Sequence, residues 1–180
     1  MAAPAPVATP AAPSPDDRAL AMAASIVADT SARLQARMTQ EMHQSPPDQV
    51  AVDCSIEASA LTQVVPDGSS AHVGRASLRL RNPENSGPPW VQAWLQAQGE
   101  RPMAGVAGFA RVEDTPEGRV ARVLRPIPVM PHCLTCHGDE ATLSAEVRGV
   151  LRERYPDDQA TGYAAGDLRG ALWAEVPVGS

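Results

Sequence analysis

Two of the chain's three cysteines and two of its four histidines fall inside one short segment, MPHCLTCHGDE, at residues 130–140. Its centre, Cys133-Leu134-Thr135-Cys136-His137, reads C-x-x-C-H. On one helical turn, side chains three apart lie about 5–6 Å from each other on the same side. Two thiols so placed can form thioether bonds to the two vinyl groups of one porphyrin, and the adjacent imidazole can turn onto its iron. Zinc is a weaker reading, because His132, Cys133, Cys136 and His137 would crowd four ligands into six residues, whereas structural sites draw a second pair from elsewhere. A thioredoxin-like redox pair needs a βαβ setting, and here a hairpin and RPIPVMP precede the cysteines. A Cys133–Cys136 disulfide leaves the histidine unexplained. The pattern therefore points to one covalently held haem c, with His137 as its proximal ligand.

The other face of the iron is not set by this spacing. Cys54, His72, His132, Met103 and Met130 are all eligible. His132 and Met130 lie too near His137 in sequence to cross to the opposite side, and Met103 reads as a packing residue. Cys54 is an isolated cysteine on the apolar side of a helical pattern, where a core thiol is the ordinary explanation. The ligand reading of Cys54 stands level with all the others together.

The rest of the composition limits the partners. The net charge of −6 argues against nucleic acid, because phosphate binding needs a clustered positive field. Apolar residues make up 43% of the 180 residues but aromatics only 3%, so a large apolar cofactor could supply missing bulk to an alanine-rich core. All basic residues are arginine. No stretch approaches the roughly 20 apolar residues of a membrane span. No secretory signal is visible; MAAPAPVATPAAPSP resembles the segment left after one is removed, and a mature periplasmic chain is assumed.

The elements that must hold these residues follow from patterning. Residues 1–15 are expected to be a disordered or extended Ala/Pro-rich tail, and 16–180 a single domain. Asp16 and Asp17 offer an N-cap to a long helix, with a stripe of Leu20, Ala24, Val27, Leu34, Met38 and Met42 reaching about Met42. That stripe packs on the domain or forms a homodimer contact. Ser45, with Pro46 at the first helical position, starts a second helix whose face carries Val50, Cys54, Ala58 and Leu61. HVGRASLRLR alternates as a half-buried strand, Leu78 and Leu80 on one face, Ser77, Arg79 and Arg81 on the other. A short helix over 90–98, a hairpin turning at 114–118, a helix over 145–154 and a closing strand ALWAEVPV complete an α+β domain. YPDDQATGYAAGDLRG reads as loop.

Three stretches, GRASLRLRNPENSGPPW, CLTCHG and YPDDQATGYAAGDLRGAL, resemble a family of bacterial single-haem c-type proteins with a PAS-like fold. The resemblance runs from about residue 49 to 178, although AVDCSIEAS around Cys54 follows the family pattern only loosely. It implies thioethers from Cys133 and Cys136, with His137 and Cys54 as axial ligands. It also implies an antiparallel PAS-like sheet, with the haem between sheet and long helices. A thiolate opposite imidazole favours ferric iron and a low potential. With both axial positions filled by protein, one-electron transfer or redox sensing with an unidentified partner protein is expected rather than enzymatic turnover. A gas- or ligand-sensing module in which Cys54 is displaced is the alternative. Arg79 and Arg81 could pair with haem propionates or simply form a solvated stripe. Tyr163 could donate to a propionate or pack beneath the loop. Asp167 and Arg169 read as a loop-structuring pair.

Overall fold

The computed structural model describes residues 12–99 and 102–179, and within them the side chains of 54–59 and 61 lie outside the description. The expected tail therefore falls mostly outside the described residues. The first helix, α1 (Pro15–Gln44), begins before the expected N-cap positions. Its N-cap is Ser14 rather than Asp16 or Asp17. The Asp17 backbone N–H donates to Ser14 Oγ at 3.1 Å, and the Ser14 backbone N–H donates to Asp17 Oδ2 at 3.1 Å. This reciprocal box satisfies two donors that a helix start leaves open, and Pro15 fits the first turn because its missing N–H has no partner to lose.

The buried face of α1 is rotated from the expected stripe. Ala19, Ala23, Ile26, Val27 and Thr30 are buried, while Ala24 faces solvent. The buried set follows helical spacing and lies on the sheet with Ala121, Val123, Leu172, Ala174 and Val176. Beyond Thr30 the helix turns toward a cavity: Leu34 packs against this core and also lines the cavity, which Met38 and Met42 continue. Ser45 closes α1, its N–H donating to the Glu41 carbonyl at 2.9 Å. It is extended, at φ −129° and ψ 150°, as a residue before proline tends to be. For that reason the second helix, α2 (Pro47–Thr62), starts after Pro46 and not at it.

Four antiparallel strands form one sheet in the order β1-β4-β3-β2: β1 (His72–Ala76), β2 (Phe109–Thr115), β3 (Gly118–Pro128) and β4 (Leu168–Pro177). The α+β class is thus observed. Strand β1 is shorter than its alternation suggests. Ser77 Oγ donates to the Arg169 carbonyl at 2.9 Å and accepts the Arg79 N–H at 3.2 Å, turning the chain out of the sheet. Leu78 is consequently exposed instead of facing a core, and 77–81 is a loop. On the face away from α1 lies α3 (Pro89–Gln98), where Trp90, Trp94, Phe109 and Trp173 gather around Val91 and Leu95. These are all of the chain's tryptophan and phenylalanine residues, so aromatic bulk is concentrated on one side of the sheet. A short helix, α4 (Leu134–His137), and α5 (Ala145–Arg154) follow the last turn of β3. No helix among the described residues is long and apolar enough to cross a membrane.

Candidate functional site

A cavity of about 330 Å³ opens between the second half of α1, the start of α2, the ends of β1, β3 and β4, and the α4 segment. Cys133, Cys136 and His137 all line it. Pro131 starts a tight turn that leads into α4, so both cysteines and the histidine sit on successive turns of one short helical segment. Both thiols are free. Burial pushes the Cys136 thiol above its usual range, and the nearby Arg81 charge opposes that only in part. Among the described residues no three His, Cys, Asp or Glu side chains converge as a metal cluster.

His137 is held by the loop that follows α5. Its Nδ1 lies 2.7 Å from the Ala160 carbonyl oxygen, which can only accept, so Nδ1 carries the proton and Nε2 keeps its lone pair. Burial, then the charges of Arg81 and Arg169, hold the ring well below its ordinary value of 6.5. A neutral imidazole with Nε2 available and Nδ1–H tied to a carbonyl is the arrangement of an oriented metal ligand. The same loop binds the segment's backbone. Tyr163 N–H donates to the His137 carbonyl at 2.9 Å and Gly162 N–H to the Gly138 carbonyl at 2.7 Å. The Tyr163 ring meets the imidazole edge-on, with centroids 6.3 Å apart.

Two arginines from the loop after β1 lock this arrangement. Arg81 Nη2 donates to the Cys136 carbonyl at 2.5 Å and pairs with Asp158 Oδ2 at 2.9 Å, both side chains being largely buried. Asp158 in turn accepts the Ala160 N–H at 2.8 Å, fixing the carbonyl that orients His137. Arg79 donates to the carbonyls of Gln159 and Thr161, and its guanidinium lies 4.4 Å from the centre of the Tyr163 ring. Neither is a solvated stripe on a strand. Arg81 lines the cavity, whereas Arg79 and Tyr163 serve the clasp outside it.

Sequence reasoning missed several residues here. Arg75 and Arg169 line the cavity beside Arg81, and Met38 and Met42 line its helical side. Arg169 does not pair with Asp167. Its Nη1 donates to Ser77 Oγ at 2.6 Å, while Asp167 accepts the Ala164 N–H at 2.7 Å within its own loop. Gly170 forms part of the cavity wall, and a side chain there would run into the Ala76 carbonyl. The helical stripe through Leu34, Met38 and Met42 was visible in the sequence, but not that its far end lines a cavity. The remaining eligible residues for the face opposite His137 divide cleanly. His132 lines the cavity, while His72, Met103 and Met130 do not. Cys54 lies within α2, one residue after Asp53 and four after Val50, both of which line the cavity; its side chain is outside the described residues.

The Tll0287-like family model matches residues 16–177. A solved structure, described as the crystal structure of the cyanobacterial heme-protein Tll0287, is similar with a TM-score of 0.54 and 18% identity. The likeness covers 82% of this chain and 96% of that one, and at this identity it speaks for the fold. None of the curated proteins matches the chain.

Proposed function

The chain belongs to the Tll0287-like family, and from that premise we propose that it is a single-haem c-type protein that takes up and gives back one electron. One observation carries the reading: the tautomer-fixed imidazole of His137 and the thiols of Cys133 and Cys136 line the same cavity. This donor set fits a covalently tethered haem. Cys133 and Cys136 would hold it through thioethers, His137 Nε2 would ligate the iron, and the arginines of the wall would face its carboxylates. The heme-protein described for the similar structure supports the same reading. When bound, the haem supplies the ferric/ferrous couple, and the chain's own residues set its surroundings. The Ala160 carbonyl fixes the ligand's proton, and the cavity's apolar sides limit water.

Cys54, on α2 one residue after the cavity-lining Asp53, would supply the second protein ligand to the iron. A thiolate there lowers the potential relative to a thioether. We place the protein in the periplasm with an exchange partner, as a low-potential carrier or redox sensor with a PAS-like sheet, and without turnover of a substrate. The apolar side chains of Leu34, Met38, Met42 and Val50 beside that position favour one second reading, a module that admits a small neutral ligand once Cys54 is displaced.

Ferric and ferrous absorption spectra with a pyridine haemochrome assay test the haem and its attachment together. The expected result is a two-thioether c-type signature; a haem extractable into acidified butanone would sink the covalent assignment. Cys54→Ala is expected to alter the low-spin ferric spectrum and raise the potential, and an unchanged spectrum removes Cys54 from the iron. Carbon monoxide added to the reduced protein separates the two readings, because a rapid stoichiometric shift favours ligand sensing and inertness favours electron transfer.

A further inference from the structure

Among the cations of the cavity wall, Arg169 differs from Arg37 and Arg81. Arg37 is paired with Glu41 at 2.6 Å, and Arg81 with Asp158 at 2.9 Å. Arg169 has no carboxylate within 4 Å among the described residues. Its Nη1 is turned to neutral acceptors, Ser77 Oγ at 2.6 Å and the Arg79 carbonyl at 3.2 Å, and its guanidinium rests 5.4 Å from the centre of the Tyr163 ring. Taking a guanidinium partly out of water beside a second cation, Arg81, is unfavourable unless an anion compensates it. Burial first, and then the Arg81 charge, lower its affinity for its proton, and the Tyr163 hydroxyl and the more distant Asp158 carboxylate offset this only in part.

Arg169 also occupies a special place in the fold. With Ser77 and Gly170 it lines both the large cavity and a second one of about 180 Å³ on the far side of the same wall, where Arg79 is a further cation. Asp167, the acid of that second cavity, is engaged by the Ala164 N–H. Arg169 thus reaches two chambers and is neutralised by an acid of neither.

We propose that Arg169 is a carboxylate-binding residue, built into the wall between the two cavities to receive a carboxylate from a bound ligand. Arginine suits this role because its planar fork matches both oxygens of a carboxylate. Two sources share that chemistry: a propionate of the haem in the large cavity, or a free small carboxylate in the second. The first source rests on the haem reading; the second does not, and it can be measured whether or not haem is present.

The experiment compares the parent with Arg169→Gln and Arg169→Lys by three measurements. Resonance Raman spectra read the propionate bending modes, redox titration reads the potential, and calorimetry with sodium acetate against sodium chloride reads a free anion. If a propionate is the partner, Arg169→Gln shifts the propionate modes and lowers the potential, Arg169→Lys falls between, and acetate is not bound. If a free carboxylate is the partner, acetate binds the parent, and its affinity drops roughly tenfold or more in Arg169→Gln. Should the glutamine variant fail to fold, as judged by circular dichroism, the lysine variant is read in its place. Unchanged propionate modes, an unchanged potential and no acetate binding overturn the inference. Absence of haem from the parent overturns the proposed function instead, and leaves the acetate measurement to decide this one.

Discussion

Around His137 the cavity wall is fixed by hydrogen bonds to backbone carbonyls, while across from it α1 and α2 present aliphatic and thioether side chains. On the first side, the carbonyls of Cys136, His137 and Gly138 accept hydrogen bonds from Arg81, Tyr163 and Gly162, and the imidazole donates to Ala160. Such a network has few alternative arrangements, because breaking one bond strands a polar group in a partly buried setting. On the second side, Leu34, Met38, Met42 and Val50 can repack with little penalty, since methionine in particular has several rotamers of similar energy. One side is suited to hold a ligand in a single orientation. The other is suited to let one come and go.

The difference can be attacked from both ends. The largest effect is expected from Arg81→Met, which breaks the Asp158 pair and removes the donor to Cys136. Leaving a largely buried carboxylate alone costs about 3–5 kcal/mol, to be read by urea unfolding. A loss well below that range would mean that the clasp is redundant. A smaller effect is expected from pH in the haem-free chain. Because the folded imidazole is held well below 6.5, the unfolded chain takes up a proton first as pH falls. Stability from His137 is therefore complete above about 6.5 and declines below it, by at most about 1.4 kcal/mol per pH unit. His137→Gln should flatten that slope in a pH series of unfolding curves. The smallest effect is expected from Met38→Leu, a nearly volume-conserving swap on the adaptable side, costing less than about 1.5 kcal/mol. It should leave the ferric spectrum unchanged; a shifted spectrum would put a thioether on the iron in place of Cys54.

What could be read from the sequence was local. Cys133, Cys136 and His137 are chemistry written in five consecutive residues. The long helix was legible, but its face was not. Alanines occur all around α1, so the pattern gives little contrast from which to fix the phase. The alternation in SLRLR promised a strand, and a single hydroxyl, Ser77 Oγ, overrode it through bonds to residues distant in sequence. The orienting partner of His137 was invisible for another reason. It is a backbone carbonyl, so the identity of Ala160 carries no trace of its role. Arg169 read as half of a pair with its neighbour Asp167, because nothing in the sequence shows that the two diverge to opposite tasks.

The strand order has a consequence for how the molecule is made. β4 lies between β1 and β3, although it follows both in the chain. During synthesis the first three strands emerge with no sheet able to close, and Ala160 and Tyr163 appear only shortly before β4. Cys133 and Cys136 are synthesised before the segment that will orient His137. Any chemistry at those thiols that precedes the completion of β4 acts on an unfolded, accessible peptide, and the finished fold then closes around the product.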